Sequence, residues 1–189
     1  MSSSSSAFKR LQNHEKAVIS VDYSPNNQLL ATSSADKRTN VINLSTNTLQ
    51  QTLEEHNYGI NCQSWINNNF LVTGSDDKLI KLWDIVTGKC VSSSSGHKGL
   101  VYSITVHPTT DLIVSGAHDG SIKVWDPRSQ NIIASFEAHA QPITSIAFHK
   151  NGRDLITSSL DGYVRLWDFI PSHDCPCLSS LYDTSFTPV

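Results

Sequence analysis

The sequence predicts an all-β fold assembled from four copies of one four-stranded module, and three observations carry that expectation. The stretch Leu71 to Trp83-Asp84 is echoed by Ile113 to Trp125-Asp126 and by Ile156 to Trp167-Asp168, so that Trp83, Trp125 and Trp167 stand 42 residues apart. A period of about 40 to 50 residues marks stacked or radial repeats. A histidine leads each copy at matching phase, His14, His56, His97 and His139, at intervals of 42, 41 and 42. Between these markers, short runs rich in β-branched and aromatic residues alternate with turn clusters, and no helical periodicity interrupts them.

Taken in order, residues 1–10 form a Ser-rich flexible lead with an edge strand at its end, where Phe8 to Gln12 is apolar at alternate positions. The first module, residues 11–53, offers strands at Ala17–Tyr23, Gln28–Thr32, Thr39–Leu44 and Leu49–Leu53. It is the worn copy, with Ile42 and Asn43 where the others have Trp and Asp. The second, 54–95, reads Gly59–Ile66, Phe70–Thr73, Leu79–Asp84 and Lys89–Ser93. The third, 96–137, reads Leu100–Val106, Leu112–Ser115, Ser121–Trp125 and Ile132–Phe136. The fourth, 138–181, reads Pro142–Phe148, Leu155–Thr157 and Tyr163–Asp168, with Cys177–Leu181 suited to its last strand. Residues 182–189 read as a tail where a fifth copy would begin.

Composition narrows the function. A chain of 189 residues with 38% hydrophobic and 16% charged residues is too apolar for disorder. Fourteen basic against 17 acidic residues, net −3, is no nucleic-acid footprint. No apolar run approaches the roughly 18 residues of a membrane helix, and the Ser-rich start lacks the apolar middle of a secretory signal. Cys62, Cys90, Cys175 and Cys177 fall at unrelated repeat positions, which argues against a disulfide framework and for a reducing setting. His173-Asp174-Cys175-Pro176-Cys177 has the look of a metal site, but zinc takes about four ligands and no second pair lies at suitable spacing. No metal and no cofactor are therefore expected. Ser92 to Ser95 reads as a solvated outer strand.

Gly96-His97 together with the three Trp-Asp pairs resembles the WD-repeat family of β-propellers over roughly residues 11–169. The resemblance implies four blades of four antiparallel strands around a channel, an incomplete, open propeller relative to seven-bladed relatives. Register and loop lengths look closest to the seven-bladed scaffold subunit of COMPASS-type histone lysine methyltransferase complexes. That match runs without gaps from His14 to Asp168 and includes Ser33-Ser34-Ala35-Asp36-Lys37, Ser75-Asp76-Asp77-Lys78 and Asn151-Gly152-Arg153-Asp154-Leu155-Ile156.

The family resemblance gives the recurring polar residues a structural role. The sets are His14/Thr32/Asp36 with Ile42, His56/Thr73/Asp77/Trp83, His97/Ser115/Asp119/Trp125 and His139/Thr157/Asp161/Trp167. A hydrolytic triad occurs once and is exposed, whereas this set recurs in every module. In the family the indole bonds the hydroxyl, the hydroxyl the imidazole and the imidazole the carboxylate. With Ile42 in place of an indole, the first network is expected to be incomplete.

The resemblance also places a peptide-binding rim at the channel mouth. Its members are Asn61, Tyr102 and Thr144, with Ile19, five residues after each histidine, and Ala35, Asp76, His118 and Leu160 just before each network aspartate. There an arginine side chain from a histone or methyltransferase segment is held between aromatics and acids. Tyr102 matches one aromatic and Asp76 an acid, while Asn61 and Leu160 replace a small hydroxyl and an aromatic. The expected function is a non-enzymatic protein-interaction scaffold of chromatin-modifying complexes, nuclear or otherwise cytoplasmic, with self-association through the open propeller ends. Two alternatives stay open. Trp125-Asp126-Pro127-Arg128 resembles the signature of substrate receptors of cullin-type ubiquitin ligases, and a truncated propeller has no independent binding function.

Overall fold

A computed structural model describes residue 11, residues 13–170 and the backbone of residues 177–185. The expectations for residues 1–10 and for the His173–Cys177 cluster lie outside the described residues. Every regular element among those residues is a strand: β1 (Val18–Tyr23), β2 (Leu29–Ser34), β3 (Thr39–Asn43), β4 (Thr48–Leu53), β5 (Ile60–Trp65), β6 (Phe70–Ser75), β7 (Leu79–Asp84), β8 (Lys89–Ser95), β9 (Val101–Val106), β10 (Ile113–Ala117), β11 (Ser121–Asp126), β12 (Asn131–Glu137), β13 (Ile143–Phe148), β14 (Asp154–Ser159), β15 (Tyr163–Ile170) and β16 (Cys177–Ser185). They form four antiparallel sheets, β1–β4, β5–β8, β9–β12 and β13–β16, each in simple up-and-down order. The architecture is an incomplete β-propeller. The first strands β1, β5, β9 and β13 adjoin one another in succession, so the sheets are blades ranged side by side with β4, β8, β12 and β16 outermost. β16 runs to Ser185, past residue 181, where the fourth module is expected from the sequence to end.

The hydrophobic core lies between blades rather than within one. Ala31, Val41 and Leu53 of the first blade meet Trp65, Leu71 and Trp83 of the second. Cys62, Val72 and Ile80 meet Val101, Ile104 and Trp125. Val114, Ile122 and Val124 meet Ile143, Ile146 and Trp167. Each blade is apolar on both faces, which is why its strands read as mixed runs and not as a strict apolar–polar alternation.

The hairpin after the second strand of each blade follows one rule. Lys37, Lys78, Gly120 and Gly162 donate backbone N–H groups to the carbonyls of Ser34, Ser75, Ala117 and Ser159. All four have left-handed backbones, with φ of 76°, 69°, 73° and 83°. A turn that ends in a left-handed residue is a common hairpin solution, and it favours glycine. The first two blades use lysine there at a cost of about 1 kcal/mol.

Candidate functional site

The recurring polar residues are joined as chains inside each blade. In the second blade the Trp83 indole donates to Thr73 Oγ1 at 2.8 Å, Thr73 Oγ1 lies 2.8 Å from His56 Nε2, and His56 Nδ1 lies 2.7 Å from Asp77 Oδ2. The fourth blade repeats this with Trp167 to Thr157 at 2.9 Å, Thr157 to His139 at 2.7 Å and His139 to Asp161 at 2.9 Å. Each network carboxylate also accepts the amide following its histidine, from Glu15, Asn57, Lys98 and Ala140.

Two blades vary the chain. In the third, Trp125 and His97 both reach Ser115 Oγ at 2.8 Å, but His97 Nδ1 stands 3.3 Å from Asp119 Oδ2. Ser121 fills the gap, its hydroxyl 3.1 Å from His97 Nδ1 and donating to Asp119 Oδ1 at 2.6 Å. In the first, His14 joins Thr32 at 2.8 Å and Asp36 at 2.9 Å, and Ile42 supplies no donor. Asn40 joins this network instead. Its side chain, 2% exposed, lies 3.3 Å from His14 Nε2 and accepts Thr52 Oγ1 at 2.9 Å. The first network lacks its indole but gains an amide that no other blade has at that position.

Electrostatics favour an ionised carboxylate in every network. Burial pushes Asp77 up, but the bonds from His56, Leu79 and Asn57 outweigh it and hold the carboxyl below its ordinary value. Asp36 and Asp161 are lowered by the same contest between burial and donors. Asp119 is drawn down to about 2, burial being overcome by the hydroxyl and amide of Ser121, the Lys98 amide and His97. Burial pushes His97 down to about 4 despite Asp119 beside it. Thr73, Ser115 and Thr157 are 0% exposed, and each oxygen is shared between an indole and an imidazole. No substrate reaches such a hydroxyl, so the sets act as fasteners between strands and turn rather than as nucleophiles.

The turns that carry the network aspartates define one rim. The amides of Ala35, Asp76, His118 and Leu160 donate to the carbonyls of Ala17, Gly59, Leu100 and Pro142. Asn61 donates to Asp76 Oδ1 at 2.7 Å and, across the blade boundary, to the Val101 carbonyl at 3.0 Å. The acid expected to meet an arginine is thus already engaged by the residue that replaces a small hydroxyl. Tyr102 meets His118 edge-on with ring centroids 6.1 Å apart. Thr144 pairs with Ser158 at 2.9 Å. Leu160 and Ile19 stand 68% and 50% exposed.

The opposite rim holds features that the sequence reading passed over. His107 is 2% exposed, its Nε2 donating to the Gly152 carbonyl at 2.8 Å and its Nδ1 accepting the Thr110 amide at 3.2 Å. Phe148 and Phe169 flank the ring at 5.0 and 5.4 Å. Gly152 has φ of 71°, and a Cβ there would lie 2.9 Å from the imidazole, so only glycine fits under His107. The available signal was positional: Ser24, His107 and His149 come directly after a first strand and Asn67 one residue later, and each accepts backbone amides of its own turn. On the same rim a cavity of about 260 Å³ between the second and third blades is lined by Ile66, Phe70, Leu82, Val91 and Pro127 together with the polar Asn67, Asp111 and the exposed Arg128.

Comparison with known proteins places these features in a family. The profile described as "WD domain, G-beta repeat" matches residues 5–43, 47–84, 88–126 and 130–168, well over half of the chain. Similar proteins include coatomer subunit beta'-2 of Arabidopsis thaliana, 32% identical over 51% of this chain and 11% of the relative. A p21-activated protein kinase-interacting protein 1-like protein of Xenopus laevis is 31% identical over 46% of this chain and 24% of the relative. Mitogen-activated protein kinase kinase kinase A of Dictyostelium discoideum is 32% identical over 50% of this chain and 11% of its own length. The aligned region is therefore a quarter or less of the length of these three relatives.

Proposed function

We propose, on the premise that this chain belongs to the WD domain, G-beta repeat family, that it holds partner proteins or peptides on its aspartate-turn rim and does no chemistry on them. Members of the family generally act as protein-interaction scaffolds. The observation that carries the reading is the contrast between the two sets of polar residues. The His/Ser-Thr/Asp chains are buried and mutually satisfied, whereas Asp76, Asn61, Tyr102 and His118 gather polar and aromatic groups on one rim, and His118 is exposed there.

The finer reading is kinship with scaffold subunits of histone methyltransferase complexes, with an arginine-bearing histone or methyltransferase segment as the occupant. Tyr102 offers a ring face to a guanidinium, and Asp76 offers charge, shared with Asn61. Titration of an arginine-bearing tail peptide tests it: Tyr102→Ala is expected to weaken binding roughly 5- to 10-fold. Equal affinity of the wild type for the peptide and its Arg→Ala version sinks the reading. A second reading is supported by Arg128, which is exposed and lines the cavity on the opposite rim. As a substrate receptor for a cullin-type ligase, the chain would lose its adaptor in a pull-down on Arg128→Ala.

A further inference from the structure

The three boundaries between blades are built on one plan, and the two outer faces present its two halves. On one side of each boundary stands a residue of the second strand, Ala31, Val72 or Val114, all 0% exposed. On the other stand the first-strand residues Ile60, Val101 and Ile143, all 0% exposed, and Gln63, Ile104 and Ile146, 5 to 7% exposed. The fourth blade carries Ile156 at the second-strand position, 44% exposed, and the first blade carries Val18 and Val21 at the first-strand positions, 49% and 64% exposed. Tyr23 extends the open face at 58%, where the second blade has Trp65 at 6%.

We infer that a second copy of this chain docks head to tail, the Ile156 face of one copy closing on the Val18/Val21/Tyr23 face of the other. Continuity with the existing boundaries supplies the fit. Where the neighbouring first strand brings Ile104 or Ile146, the facing second strand has Gly74 or Gly116, and a Cβ there would lie within 2.6 to 2.9 Å of those side chains. Where it brings the polar Gln63, the facing residue is Ser33, which bonds it. The open pair is Ser158 facing Val21: a side chain one carbon smaller than isoleucine opposite one larger than glycine, so total volume is kept. The backbone repeats as well. Ile146 N–H donates to Ser103 Oγ across the third boundary at 2.9 Å. Val21 holds Ile146's register, opposite Thr32 as Ile146 is opposite Thr157, and Ser145, exposed, holds the place of Ser103. The contact is heterologous, and two of them related by a twofold axis close a ring of two sets of four blades, within the range of known propellers.

The test is the mass of the 189-residue chain in solution by light scattering, with Val21→Glu and Ile156→Glu as variants. Both side chains are already exposed in the single copy, so neither substitution disturbs its fold. The expected result is a discrete species of about twice 20.8 kDa for the wild type and single copies for each variant alone. Mixed in equal amounts, the two variants retain one intact face each and form a heterodimer through a single boundary. A monomeric wild type, a polydisperse aggregate, variants that stay dimeric, or a mixture that stays monomeric up to about 100 μM would each overturn the inference.

Discussion

Replacing Trp125 with alanine tests the principle on which the blades are fastened. The indole is 3% exposed, lies against Val72 and Ile80 of the blade before it, and donates to Ser115 Oγ at 2.8 Å. Removing it opens a cavity inside the boundary of the second and third blades, and large-to-small changes of this size cost about 3–5 kcal/mol. Part of that loss is the donor: Trp125→Phe keeps most of the volume but leaves the Ser115 oxygen one partner short, at about 1–3 kcal/mol. In a chain of this length each kcal/mol shifts the midpoint by roughly 2–4 °C. Thermal unfolding followed by far-ultraviolet circular dichroism should therefore fall by roughly 6–20 °C for the alanine variant and by a smaller step for phenylalanine. A shift under about 2 °C for Trp125→Ala would refute the claim that indole, hydroxyl, imidazole and carboxylate work as one fastener.

Two further outcomes follow from the same geometry. His97 titrates near 4 in the folded chain against an ordinary 6.5, so the unfolded chain binds more protons between those values; stability is complete above pH 6.5 and falls as pH drops from 6.5 to 4. Asp119, held at about 2 against 3.8, extends the loss below pH 3.8. Urea midpoints measured from pH 7 to 4 should decline, and His97→Gln should flatten the decline; a profile equally steep in the variant contradicts the assignment. Separately, Lys78→Gly removes a side chain from a backbone with φ of 69° and is expected to raise stability by about 1 kcal/mol in chemical denaturation, with no change expected if the turn is unstrained.

What could be read from the residues alone was whatever the chain says more than once. Three tryptophans and four histidines at a near-constant interval locate strands, turns and polar chains together, because each copy corroborates the others. Features that occur in a single copy carry no such echo. Asn40, buried beside His14, occupies the strand position that is Lys81, Lys123 and Arg165 elsewhere, and nothing in its own neighbourhood announces that it joins the network. Ser121 as a relay between His97 and Asp119 is likewise unique to its blade. At the rim, a family pattern suggested an acid at Asp76 but not that Asn61 would engage it, since that contact depends on a side chain departing from the pattern. The end of β16 is not legible in the residues because the repeat pattern fades after Phe169, and its length follows from backbone pairing with β15.

The indoles have a use beyond cohesion. Trp83 lies in the first seam, Trp125 in the second and Trp167 in the third, each leaning on the blade that precedes it. The molecule thus carries an intrinsic fluorophore in every seam. Stepwise opening would shift their emission to the red in successive phases, whereas concerted opening would shift it in one, so the number of phases in the emission reports whether the seams part in sequence or together.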